Sequence, residues 1–202
     1  SSTLSDNLLN GKINISSSGD SIINDTNKMK SKITNDIIYE SSEYISFGGL
    51  KSSYGVNIKN LNSIGKKNSD YESSPKIELM SELILNSSIP LLKKVENNYN
   101  YLTPKILFKI NPNDMKDYNS ADKTIDINNI FNNNRLGLDD TLETGASLTV
   151  GLDYKKEKIE DINKFFEIKL ATVFRDREEN FLPKKTTINQ KNSNFFGSIS
   201  NL

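Results

Sequence analysis

The chain has 202 residues and a mean hydropathy of −0.56, and its 26 Lys and Arg balance 26 Asp and Glu, so no global field favours nucleic acid. Hydrophobic residues make up 35%, and adding the 10 Gly brings the chain only to about 40%, below the roughly 45–50% of ordinary globular domains on that count. With no Cys and no His, the chain has no disulfide, no thiolate or imidazole metal ligand, no Cys nucleophile and no near-neutral acid–base side chain.

The recurring signal is alternation with a period of two, the mark of strands that are polar on one side. It predicts about eight strands, over 9–17, 31–42, 51–61, 75–86, 102–110, 142–154, 164–175 and 193–202. In the second of these, Ile33, Ile37 and Tyr39 alternate with Thr34, Asp36 and Glu40, with Ile38 on the polar side. Tyr54, Val56 and Ile58 follow, alternating with Asn57 and Lys59. Next, Ile77, Leu79, Leu83 and Leu85 alternate with Glu78, Met80, Glu82 and Ile84. Ile106, Phe108 and Ile110 share a face opposite Lys105, Leu107 and Lys109. In the sixth strand, Ala146, Leu148, Val150, Leu152 and Tyr154 oppose Ser147, Thr149, Gly151 and Asp153. Phe166, Ile168, Leu170 and Phe174 form the apolar face of the seventh, interrupted by Thr172 and opposed by Glu167 and Lys169.

No amphipathic helix lies between these segments, and no run of eighteen apolar residues suggests a membrane helix. Most of the predicted strands have about nine to thirteen residues, against the five or six usual in soluble sheets and the roughly nine to eleven of a tilted bilayer-spanning strand. Segments 18–30, 62–74, 111–141 and 176–192 read as long polar connections, whereas 43–50 and 155–163 are shorter. Segment 87–101 fits neither class, with its apolar start Ile89-Pro90-Leu91-Leu92. Long and short connections that alternate along the chain suit a membrane barrel, which has long external loops and short periplasmic turns. The expected fold class is therefore all-β: an antiparallel meander forming part of a transmembrane outer-membrane β-barrel. Residues 1–202 read as a single partial barrel with no second domain. The chain opens Ser-Ser-Thr-Leu, with neither an initiator Met nor a signal-peptide pattern, and is expected to begin before Ser1.

Candidate chemistry is sparse. Asp139, Asp140 and Glu143 suggest either a hard-cation site or the polar end of a loop; their spacing lacks the alternating ligands and central Gly of a calcium loop, which favours the second. Glu78 and Glu82 would suit paired carboxylates in glycoside hydrolysis, or simply a wet wall, since they share one strand face. The segment Lys155–Asn163 is a solvated turn of mixed charge, and neither Gly48-Gly49 nor Gly145 starts a phosphate-binding loop. No catalytic, cofactor or metal residue is assigned, and no enzymatic activity is expected.

Three blocks of the chain stand out together. The first is Leu102 to Asp117, with Pro104 and Asn111-Pro112. The second is Asn128 to Tyr154, with Phe131, Asn134, Arg135, Gly137, Asp140, Glu143 and Gly145 in that order. The third is Phe174 to Gly197, with Arg175, Glu178, Leu182-Pro183 and Ser193. In order and spacing these blocks resemble the barrel domain of the lipopolysaccharide-assembly outer-membrane protein LptD, also called organic solvent tolerance protein OstA; Tyr44 to Asn62 is more loosely similar. Asp140-Thr141 departs from the Asp-Arg of many members, so a role for that Arg does not carry over. The resemblance implies an interior piece of the C-terminal barrel, without the family's soluble periplasmic domain, its cysteines or the end strands that meet at its lateral gate. It implies a non-enzymatic place in the Gram-negative outer membrane, inserting lipopolysaccharide into the outer leaflet. The implied partners are lipopolysaccharide, outer-membrane lipid, a plug-like outer-membrane lipoprotein (LptE-type) and periplasmic bridge proteins reached through the N-terminal domain. On this view the apolar faces meet lipid, while Glu78, Glu82, Ser147, Asp153, Glu167 and Lys169 line a wet lumen that holds the lipoprotein. The alternatives are another outer-membrane channel of porin type, or a secreted or surface β-domain acting as a binding module.

Overall fold

The computed structural model describes residues 2–5, 10–24 and 27–202. They form one antiparallel sheet of eleven strands and almost no helix. The strands are β1 (Ser2–Ser5), β2 (Gly11–Asn24), β3 (Lys28–Ser41), β4 (Tyr44–Ile45), β5 (Lys51–Lys66), β6 (Lys76–Ser88), β7 (Leu91–Val95), β8 (Asn98–Asn111), β9 (Gly145–Lys158), β10 (Phe165–Arg175) and β11 (Phe196–Asn201). The hydrogen-bonded order is β1-β2-β3-β5-β6-β8-β9-β10-β11, with β4 on β5 and β7 on β8. It is a meander of next neighbours, and the sheet is open: β1 and β11 each keep one unpaired edge among the described residues.

Each of the eight predicted strands has its counterpart. The polar connection expected over 18–30 does not exist as such, because β2 and β3 pair without a break from Gly11↔Ser41 to Asn24↔Lys28. Beyond the apolar band both faces of a strand can be polar, so the alternation fades while the backbone ladder continues. β5 likewise runs on to Lys66. Segment 87–101 is a hairpin rather than a loop. β6 continues through Ile89 and Pro90 into β7, and the chain turns at Glu96, whose φ of 52° is left-handed. Pro90, with no N–H to donate, marks the interruption between the two strands.

The connections fall at two ends. Segments 67–75, 112–144 and 176–195 lie at one, here the loop end; 42–50, 96–97 and 159–164 lie at the other, the hairpin end. The two faces of the sheet are equally distinct. One exposes Ile37, Ile58, Leu83, Ile106, Val150 and Leu170, each between 38% and 56% accessible. Register brings these into continuous rows, as in Tyr54↔Leu85↔Phe108↔Leu148↔Phe174.

The opposite face is covered by the two longest loops. Met115, Ile127, Ile130, Leu136 and Leu138 of the first pack with Leu182 and Ile188 of the second against Ala171 and Val173 of β10. The 112–144 segment has no regular secondary structure, as its Asn- and Asp-rich composition predicts, yet it supplies five of the nine residues of this buried apolar cluster. Gly151 of β9 is where the loop comes closest. A Cβ there would fall 2.5 Å from the Phe131 ring, so only Gly lets this ring lie against the strand.

Gly151→Val is therefore expected to lift Phe131 and loosen the 112–144 loop while leaving the strands paired. Limited proteolysis should show new cleavage within 112–144, and unchanged resistance of that loop would refute the contact's importance.

Candidate functional site

The residues of most chemical interest lie where the two long loops meet the inner face of β5, β6 and β8–β10. Period-two alternation directs Asn57, Glu82, Lys109, Ser147, Thr149 and Arg175 to that face. Glu143, from the end of the 112–144 loop, enters among them and is buried. Gly145, at a φ of 79°, turns the chain from this loop into β9, and a Cβ there would lie 2.5 Å from the Glu179 carboxylate.

Glu143 is held by three cations. Arg135 binds it through Nε at 2.9 Å and also through Nη2, a two-pronged carboxylate contact. Arg175 contacts the same carboxylate through Nη2, and Lys109 lies 3.4 Å away. Each cation is anchored again. Arg135 donates to Thr149 Oγ1 at 2.7 Å and Ser147 Oγ at 3.1 Å; Arg175 donates to the carbonyl oxygens of Thr144 at 2.9 Å and Ile188 at 2.5 Å. Lys109 donates to the carbonyl of Asn133 at 2.7 Å and pairs with Glu82 at 2.8 Å, and Glu82 accepts from Asn57 Nδ2 at 2.9 Å. One chain of contacts thus joins five strands to both loops.

Burial alone would raise the pKa of Glu143, but the charges of Arg135, Lys109 and Arg175 outweigh it and hold the carboxyl well below its ordinary range. Asp140 sits in a separate setting, accepting from Tyr118 Oη at 2.6 Å, Tyr71 Oη at 2.8 Å and Lys116 Nζ at 2.9 Å. Burial opposes its ionisation, yet these donors lower its pKa to about 2. Burial and the bond to Asp140 in turn raise both tyrosines, which stay protonated donors. Asp139 contributes its backbone only: Lys59, paired with Asp36 at 2.6 Å, donates to the Asp139 carbonyl at 2.8 Å.

The three acidic residues singled out in the sequence are therefore not brought together. Asp139 is exposed, Asp140 faces a Tyr–Lys cluster, and Glu143 faces the arginines. Among the described residues, no group of three or more His, Cys, Asp or Glu is placed to hold a metal. Glu78 and Glu82 share a face but not a function, since Glu78 pairs with Lys76 at 3.2 Å while Glu82 belongs to the buried network. Of the residues expected on a wet wall, all six lie on the inner face, but Glu82 and Ser147 are 2% and 3% accessible. The loops enclose them, a consequence of folding inward that alternation alone does not convey. A polar cavity of about 450 Å³ remains beside them, bounded by β2, β3, β5 and the 112–144 loop.

Sequence reasoning missed the buried cations Lys59 and Lys109, since a Lys that alternates with apolar residues reads the same whether wet or enclosed. For the arginines a signal existed. Only three of the 26 basic residues are Arg, and two of these, Arg135 and Arg175, meet on Glu143. A chain that otherwise uses Lys keeps the planar guanidinium where a fork-shaped donor is required. Compared with known proteins, the sequence matches no family model and no curated protein.

Glu143→Gln should leave Arg135, Arg175 and Lys109 facing one another without their counter-ion. Breaking a buried pair in this way costs about 3–5 kcal/mol, and denaturant unfolding with tryptic sensitivity of the 112–144 loop as readout should report it. The acid response has a definite sign. The pKa of Asp140 is lowered from 3.8 to about 2 on folding, so its contribution is complete above 3.8 and is lost as pH falls through about 2. Amide exchange in 112–144 should accelerate across that window, and Asp140→Asn should flatten the change.

Proposed function

We propose that this sheet is an arc of an outer-membrane β-barrel of the lipopolysaccharide-assembly type, set in the membrane with its apolar face toward lipid. The observation that carries this reading is the sidedness of the sheet. Bulky apolar side chains stand exposed in rows on one face, while ion pairs and hydrogen-bonded polar groups occupy the other. A soluble sheet buries its apolar face, whereas a lipid-facing barrel wall exposes it.

Two further features agree. Tyr39, Tyr54 and Tyr154 all point to the apolar side near the hairpin end, where Tyr39 and Tyr54 approach to 5.7 Å between ring centroids. Such a level of aromatic rings is expected where hydrocarbon meets headgroups. The open edges of β1 and β11 call for further strands, because unpaired backbone groups are not tolerated in hydrocarbon. The lipopolysaccharide assignment itself rests on the resemblance of the three blocks. Their named residues are the ones that seat the loops: Phe131 on Gly151, Arg135 and Arg175 on Glu143, and Leu182 in the loop core. Loops folded onto the inner face would narrow one end of such a barrel, and the wider remainder would receive the plug-like lipoprotein.

These 202 residues contain no Cys, so an introduced cysteine is unique within them and labels can be attached at chosen strand positions. In the full protein in its native membrane, a label at Leu152 should be shielded from water-soluble reagents and quenched by lipid-borne quenchers; one at Asp153 should behave oppositely. Equal accessibility of the two would defeat the membrane reading. Depletion in the host should then strand newly made lipopolysaccharide away from the cell surface. Normal surface delivery, together with open conductance without any lipoprotein partner, would point instead to a porin-like channel.

A further inference from the structure

We infer that the outer face at the hairpin end, around Lys93, Lys156 and Lys158, is a docking strip for the phosphate of anionic lipid headgroups. The inference rests on the membrane reading above and adds to it a lipid class and a location. Register places the three lysines. Lys93 lies opposite Asn100 and Asn100 opposite Lys156, while Val95 and Lys158 flank Asn98 in the next outward row. Directly paired residues share a face, and two steps along β8 from Asn100 stands Leu102, which is exposed with Ile106 and Phe108 on the apolar side. The lysines thus continue the apolar face rather than the inner one, and all three are exposed.

Their electrostatic setting differs from that of the inward lysines. Lys59 pairs with Asp36 at 2.6 Å, Lys109 with Glu82 at 2.8 Å, Lys155 with Glu157 at 2.6 Å and Lys169 with Glu167 at 3.0 Å. Among the described residues, no carboxylate forms an ion pair with Lys93, Lys156 or Lys158. The nearby turn carries Glu160 and Asp161; Asp161 pairs with Lys164 at 3.2 Å and also feels the charge of Lys158, without forming an ion pair with it. At the loop end of the same strands the outward positions are uncharged, as Ile110, Ala146 and Phe174 illustrate. On β8 and β9 the outward cations therefore gather at one rim, although Lys66 of β5 faces outward at the other.

Its dimensions suit headgroups. With strands about 4.8 Å apart and residues about 3.4 Å apart along a strand, Lys93 and Lys156 stand about 10 Å apart and Lys156 and Lys158 about 7 Å. Tyr154, donating to Asn100 Oδ1 at 3.0 Å, lies between this strip and the apolar rows. A long Lys side chain at such a border lays its methylenes on the apolar surface and lifts its ammonium to the phosphate level. Each lysine near an anionic bilayer surface is expected to contribute roughly fivefold in lipid preference.

The test reconstitutes the full protein in nanodiscs of phosphatidylcholine containing a minor fraction of phosphatidylglycerol and measures retained lipid by native mass spectrometry. The wild type should be enriched in phosphatidylglycerol. K93Q/K156Q/K158Q should lose most of that enrichment, by on the order of tenfold or more, while loop-end K123Q/K184Q/K185Q keeps it. A label at Leu152 is followed in all three proteins. Shielded Leu152 with equal enrichment in every variant overturns the strip and leaves the membrane reading standing. Water-accessible Leu152 in the wild type overturns both.

Discussion

The seating of both long loops on the inner side of the sheet depends on keeping one buried carboxylate, Glu143, among three cations. A carboxylate or a guanidinium taken out of water without a partner is costly, so neither side of this arrangement can be left alone. The contact between Glu143 and Arg175 fixes where the 112–144 loop ends and where β10 stops. The contact with Arg135 pulls the middle of the same loop onto Ser147 and Thr149 of β9. Lys109 and Glu82 extend the constraint to β8 and β6. Two long connections, which have no regular structure beyond a 3-10 turn at Lys184–Thr186, thereby acquire one defined position.

This arrangement distributes apolar and polar groups in an unusual way. The strands turn most of their large aliphatic residues outward, and the inner surface keeps a smaller apolar set, Leu61, Met80, Ile84, Leu107, Ala171 and Val173. The dry core on that side is assembled mainly by the loops, which bring Met115, Ile130, Leu136, Leu182 and Ile188 together. The two contributions differ in kind. Apolar contact holds the loops against each other, and charge-assisted hydrogen bonds hold the pair to the wall. The inner side of the sheet is therefore covered where the loops pack and open elsewhere.

The strands were legible in the sequence because a half-polar strand writes its two faces as alternate letters. Leu148, Val150 and Leu152 against Ser147, Thr149 and Asp153 need no further information to be sorted into faces. Where the alternation stopped, the strands did not: Ser17–Ser21 pair with Ser31–Asn35 through the backbone, which carries no letter in the sequence. The 87–101 hairpin was obscured for a related reason, since Pro90 reads as a breaker although β7 resumes the same edge of β8 just beyond it. Of the buried network, Glu143, Arg135 and Arg175 stand within recognisable blocks, but Lys109 and Lys59 look like any solvated lysine.

The amino-acid order by itself determined that the chain would be all-β, which residues of each strand would share a face, and which of the two faces would be apolar. These are local properties, set by a two-residue repeat and by the lengths of the runs between turns. Only the tertiary structure decided which carboxylate meets which cation, because Glu143 lies 32 residues from Arg175 along the chain. It also decided that the long Asn-rich segment is a packed cover rather than a tether, since Phe131, Ile130 and Leu136 acquire a surface to bury only once β9, β10 and the second loop stand side by side. Partners chosen through space leave no fixed period in the sequence. The acidic residues between Asp139 and Glu143 therefore read as one cluster in the chain and became three separate attachments in the fold.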